Sequence, residues 1–170
     1  VYCKDGLDVK KLVATRKPKG EMDPAAFEPS YEILPNTRWV DMPCDILIPA
    51  ALEDVINKDN ADSIKASLVV EAANIPTTPE ADKILHKKGI DVVIDFVANT
   101  GGVRIYEALV FRVVKDPVPQ DIVNDTEYIV RKQTRRLLEE AARTGRYTRD
   151  IALELFAPDT IYIGAGELLF

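Results

Sequence analysis

The sequence predicts an α/β domain in three layers, with a parallel sheet between helices and further helices toward the C-terminus. Three observations predict it. Short apolar runs at residues 45–49, 68–72 and 91–96 show little alternation, as strands buried on both faces require. A helix-length segment with its own start and stop signals separates the second run from the third, which makes a β-α-β unit. After Gly102 the apolar spacing becomes helical.

The β-α-β unit is the most explicit stretch. Ser67-Leu68-Val69-Val70-Glu71-Ala72-Ala73-Asn74 is an apolar run ending in a polar amide. Thr78 then suits a helix N-cap, Pro79 the first helical position, and Glu80 and Asp82 the first turn. Ile84 and Leu85 continue the helix to a stop at Gly89, and a second strand follows, closing on Asn99-Thr100-Gly101-Gly102. An asparagine therefore stands just beyond each strand, at the sheet edge where open parallel sheets bind ligands.

Before this unit, Asp8 is placed to cap a short helix with Val9, Leu12 and Val13 on one face. Prolines 18, 24, 29 and 35 make residues 16–36 mostly loop, with one short turn near Ala25 and Ala26. Residues 54–64 read as helical, with Val55, Ile56 and Ile64 inward. After the unit, a helix is expected from Val103 to about Val114, broken by Asp116-Pro117-Val118-Pro119. Ile122, Ile129, Gln133, Leu137 and Ala141 mark one side of a long helix ending at Gly145, residues 148–156 read as another, and Thr160-Ile161-Tyr162-Ile163 as a strand.

With 46% hydrophobic and 29% charged residues, the 170-residue chain has the size and composition of one domain with a buried core. A net charge of −6 speaks against nucleic acid as a partner. No apolar run approaches the ~20 residues that cross a bilayer, and no signal peptide is visible, so a cytoplasmic protein without a membrane partner is expected. Cys3 and Cys44 are far apart without a CxxC, as in reduced thiols. His86, the one histidine, has no companions that would make a metal site. Arg131, Lys132, Arg135 and Arg136 could meet phosphate or RNA; their alternation with Glu139, Glu140 and Arg143 suits a solvated helix face with i,i+4 pairs.

The words of three segments carry a resemblance. Asp45-Ile46-Leu47-Ile48-Pro49-Ala50-Ala51, then Glu71-Ala72-Ala73-Asn74-Ile75-Pro76-Thr77-Thr78-Pro79-Glu80-Ala81-Asp82, then Asn99-Thr100-Gly101-Gly102-Val103 resemble glutamate dehydrogenase, and more broadly the Glu/Leu/Phe/Val dehydrogenases, in the cofactor domain. The resemblance covers residues 1 to about 103 well and the rest weakly. It implies a partial Rossmann-like domain, NAD or NADP as cofactor, and oxidative deamination of an amino acid. It puts Ala50 and Ala51 near the cofactor and Asn74 and Asn99 near the nicotinamide ribose. The residue chemistry agrees: Pro49-Ala50-Ala51 offers small side chains against which a flat ring can lie, and each asparagine brings a donor and an acceptor. The plain alternative for either asparagine is a turn residue that caps its own loop.

Other family parts are not found. The glycine-rich fingerprint is expected before Val1, and with it the residue that separates NAD from NADP. Gly164-Ala165-Gly166 resembles its beginning, but residue 169 is leucine. The substrate domain, with the family's catalytic lysine and aspartate, is expected upstream, so no catalytic residue is assigned here. The family's serine after Asn-x-Gly-Gly has no counterpart in Val103-Arg104-Ile105-Tyr106-Glu107-Ala108, where Glu107 would repel a carboxylate. Each hydrogen bond to a charged phosphate is worth ~1.5–3 kcal/mol, so losing the pyrophosphate loop turns a micromolar site into a millimolar one or weaker. Two readings follow. One is a cofactor-domain portion of a dehydrogenase, active only with a complementing chain; the other is a non-catalytic remnant kept as a binding or assembly module. A homo-oligomer is expected if residues 160–163 pair with an open sheet edge, and a loose apolar tail otherwise.

Overall fold

A computed structural model describes residues 1–110 and 119–156, the side chains of residues 107–109 excepted. It divides into two compact units, Val1–Trp39 and Val40–Phe170. In the first, Tyr2 and Glu32 pair antiparallel, each N–H donating to the other's carbonyl at 2.8 Å. Helix α1 (Val9–Ala14) starts where the Asp8 carboxylate accepts from the Lys11 N–H at 3.1 Å. Only Leu12 of its expected apolar face is buried, and Val9 and Val13 are exposed. The prolines leave one 3-10 turn, Pro24–Ala26, in the place expected for it.

The second unit holds strands β1 (Ile46–Leu47), β2 (Leu68–Val70) and β3 (Asp91–Val93) in a parallel sheet of that order, with Ile46 opposite Leu68 and Val69 opposite Val92. Parallel strands joined through helices form the partial Rossmann-like α/β fold that the apolar runs predict. Each strand is shorter than its run. Proline has no N–H with which to extend a ladder; the Pro49 carbonyl instead accepts from the Ala72 and Ala73 N–H groups at 3.0 and 2.9 Å.

Helix α2 (Pro79–Lys87) begins at Thr78, whose hydroxyl accepts from the Ala81 N–H at 3.3 Å. It ends at Lys87, and Lys88 caps it just before Gly89, whose φ of +72° is the left-handed conformation that glycine adopts without strain. The third run departs from expectation. Asp95 accepts from its neighbour's Phe96 N–H at 2.8 Å and starts a four-residue helix, α3 (Asp95–Ala98), so Asn99 follows a helix and not a strand. Residues 54–64 are not the expected helix either. Ile56 pairs parallel with Thr77, a 3-10 turn spans Ala61–Ser63, and Ile56 and Ile64 are buried as expected while Val55 is only half-buried.

Helix α4 (Gly101–Val110) opens on the glycine pair. Its expected extension to Val114 and most of the proline break lie outside the described residues, as do residues 160–163 and 164–166. Helix α5 (Pro119–Thr144) buries Ile122, Leu137 and Ala141 and ends at Gly145. Helix α6 (Thr148–Phe156) occupies the residues expected and covers the edge of β3, where the Val92 N–H donates to the Thr148 hydroxyl at 3.3 Å. The basic cluster on α5 lies on an exposed helix face: Arg131 pairs with Glu127 at 2.6 Å, and Lys132 and Arg136 lie over the rings of Tyr128 and Phe156. Among the described residues no helix is long and apolar enough to cross a membrane, and Cys3 and Cys44 are free.

Candidate functional site

The loops after β2 and β3 meet at the carboxyl edge of the sheet. Asn99, at the end of α3, donates from Nδ2 to the Asn74 side-chain oxygen at 2.7 Å, so the two asparagines of the sequence reading are brought together. A cleft of about 420 Å³ opens beside them, lined by Asn74, Asn99, Thr100, Arg104, Gln133 and the Phe96 ring, among others. Arg104 is held there by Asp125 of α5, 2.6 Å from its Nε. Across the Asn74 turn lies a second, shallower cleft floored by Ala50, Ala51, Ala72 and Ala73. Pro49 is buried, and its carbonyl is committed to Ala72 and Ala73. The expected residues thus divide: Asn74 borders both clefts, Asn99 one, Ala50 and Ala51 the other.

The turn carrying Asn74 is strained. Ile75 has φ +45°, a conformation β-branched residues avoid. Asp95 holds it from one side, its Oδ2 accepting from the Ile75 N–H at 2.8 Å while its own N–H donates to Glu71 Oε2 at 2.9 Å, and the Ile75 carbonyl accepts from the Asp54 N–H at 3.0 Å.

Behind the turn is a polar cluster that the sequence reading did not single out. Glu71 is 0% and Asp82 1% exposed. Arg149 of α6 bridges them, donating to Glu71 Oε1 at 2.9 Å and, from Nε, to the Asp82 carboxylate. Thr77 and Tyr147 bring hydroxyls beside these groups without a well-aligned hydrogen bond. Burial pushes the Glu71 carboxyl above the usual carboxylate range, against the pull of Arg149. Burial also opposes charge on Arg149, but Asp82 and Glu71 outweigh it and hold the guanidinium ionised. The Tyr147 phenol is pushed well up, by burial first and then by Asp82. The signal that could have found it is a glutamate ending an apolar strand, since a carboxylate in that position needs a cation.

The residues at the sheet edge suit a flat, polar, ring-bearing ligand in part. Alanine side chains leave the second cleft's floor open, and the paired amides retain donors and acceptors beyond the one they share. No G-x-G-x-x-G occurs in the sequence to receive a pyrophosphate. Among the described residues no cluster of His, Cys, Asp and Glu could hold a metal ion.

The Glutamate/Leucine/Phenylalanine/Valine dehydrogenase family model matches residues 1–152. Glutamate dehydrogenase of Thermotoga maritima is 46% identical over 105 residues, which are 62% of this chain and 24% of that protein. NADP-specific glutamate dehydrogenase A1 of Halobacterium salinarum is 42% identical over 105 residues, 62% of this chain and 25% of that one. The solved hetero-hexameric glutamate dehydrogenase from Thermus thermophilus, in its Leu-bound form, superposes with a TM-score of 0.70 at 26% identity, over 90% of this chain and 36% of that chain. The chain spans about a quarter of the length of the curated relatives it matches. The family match over most of its length and the parallel sheet with its paired strand-end loops lead to one assignment: the chain belongs to the Glu/Leu/Phe/Val dehydrogenase family.

Proposed function

We propose that the carboxyl edge of the sheet is the nicotinamide side of an NAD or NADP site in a glutamate-dehydrogenase-like oxidoreductase, and that this chain alone binds the cofactor weakly and does not turn over. Asn74 and Asn99 take the ribose hydroxyls or the carboxamide, and Ala50 and Ala51 form the shelf for a ring, with the Pro49 carbonyl holding the shelf to Ala72 and Ala73. The observation carrying this is the Asn99–Asn74 hydrogen bond, which joins two strand-end loops into one polar lip. A bound nicotinamide supplies hydride transfer; the residues described here bind and orient.

In this reading residues 1–170 are one cofactor-domain portion in the cytoplasm, and the pyrophosphate donors, proton-transfer groups and substrate site lie outside these residues. The second reading, a non-catalytic binding or assembly module, is favoured by Val103-Arg104-Ile105-Tyr106-Glu107-Ala108, which holds no serine or threonine after Asn99-Thr100-Gly101-Gly102. Titration of the ¹⁵N-labelled chain with NADH and NADPH tests the first. Dissociation constants near millimolar or weaker are expected, with shifts centred on residues 50–51, 73–75 and 99–100 that Asn99→Ala removes. Micromolar binding, or glutamate-dependent reduction of cofactor by the isolated chain, would overturn the claim of incompetence, and shifts confined to other residues would overturn the site.

A further inference from the structure

A run of hydrogen bonds crosses this unit from α6 to the Asn74 turn. Arg149 donates to one oxygen of Glu71, and the other oxygen accepts from the Asp95 N–H. Asp95 spends its own carboxylate on the Ile75 and Phe96 N–H groups. Ile75 adjoins Asn74, which receives Asn99. Each link is charge-assisted or made by a side-chain amide, and such bonds fix direction as well as distance. Glu71 is buried, so it cannot lose Arg149 and keep its position as a lone anion.

We propose that Glu71 and Arg149 are positioning residues for the strand-end crevice: docking of α6 through Arg149 fixes Glu71, which fixes Asp95, which holds the Ile75 turn and aims Asn74 at Asn99. The functional consequence rests on the crevice being the dinucleotide site; the coupling itself does not. Linkage makes it reciprocal: a ligand that orders the asparagine pair also tightens α6.

The test is amide hydrogen exchange and ¹⁵N spectra of the full chain, in wild type, Arg149→Met, Glu71→Gln and a control, Leu137→Ala, which opens a cavity at a buried α5 residue that takes no part in the hydrogen-bonded run. In Arg149→Met the Ile75 and Asp95 amides are expected to exchange at least about tenfold faster, and the Asn74 and Asn99 side-chain signals to move toward those of free asparagine. Glu71→Gln, which keeps one carbonyl acceptor, gives a smaller change in the same signals. Leu137→Ala lowers the melting temperature without selecting them. Signals of Ile75, Asn74 and Asn99 that stay put in the first two variants, or move equally in the control, overturn the coupling. Should Arg149→Met fail to fold, Glu71→Gln carries the same comparison. Millimolar NADPH is added to wild type separately. If the shifts it causes fall on other amides and leave every crevice amide unmoved, the dinucleotide reading fails while the exchange result still decides the coupling.

Discussion

Two residues separate Glu71 from Asn74, and the chain changes character between them. Glu71 is fully buried and its partner Arg149 lies 78 residues away in sequence. Asn74 is exposed and its bond to Asn99 is made within the β-α-β unit. The crevice therefore has a wet face built from local motifs and a dry backing built from a distant helix. The face supplies recognition groups at little cost in stability, because exposed amides keep water as an alternative partner. The backing carries the energetic risk: two buried carboxylates share one guanidinium, and removing that cation leaves both uncompensated.

The largest effect should come from breaking the backing. Arg149→Met leaves two buried carboxylates without a cation and is expected to cost about 3–5 kcal/mol, read as a drop in the urea midpoint at unchanged slope. A loss under about 1 kcal/mol would mean that Arg149 behaves as a surface ion pair, and the contrast with the Asn74 side would disappear.

A smaller effect concerns pH. Burial raises the Glu71 carboxyl in the folded state above its unfolded value, with Arg149 opposing. The folded protein thus binds that proton more tightly than the unfolded chain does. The stabilisation this brings is fully present below the unfolded value, about 4.3, and is lost as pH rises through the raised folded value. Wild type should therefore gain stability relative to Glu71→Gln as pH falls from 7 toward that value. Asp82, Arg149, Thr77 and Asp95 all act on Glu71, Tyr147 adjoins Asp82 and Arg149, and all of them are common to both proteins. Parallel denaturation series settle the point; a difference that is flat or shrinks with falling pH contradicts the assignment of cause.

The same contrast explains what the sequence made legible. Helix α2 was readable because Thr78, Pro79 and Gly89 each act within a few residues of where they stand. So was α6, whose residues 148–156 follow Gly145 with helical spacing. Residues 54–64 misled because Asn57 and Asn60 satisfy backbone groups with their side chains: Asn60 Oδ1 accepts from the Asn57 N–H at 2.9 Å, and its Nδ2 donates to the Val55 carbonyl at 2.8 Å. Such bonds offer an alternative to helix that apolar periodicity does not register. Asp95 ended the third strand early by the same means. At the site, the asparagines stood out as polar words at strand ends. The Glu71–Arg149–Asp82 cluster did not, because its partners are assembled only by the tertiary fold.

The smallest effect tests the join between the two faces. Ile75 has φ +45° and its side chain is exposed, so it gains little from burial while holding a conformation that costs a β-branched residue of order 1–3 kcal/mol. Glycine adopts this conformation freely but loses more backbone entropy on folding, about 0.5–1 kcal/mol. Ile75→Gly should therefore stabilise the chain by several tenths of a kcal/mol to ~1 kcal/mol, measured by urea denaturation. The Ile75 N–H bond to Asp95 survives the substitution, since it belongs to the backbone. Destabilisation by Ile75→Gly would show that the isoleucine side chain is held by packing after all, and that the Asn74 turn belongs to the dry side of the crevice as much as to the wet one.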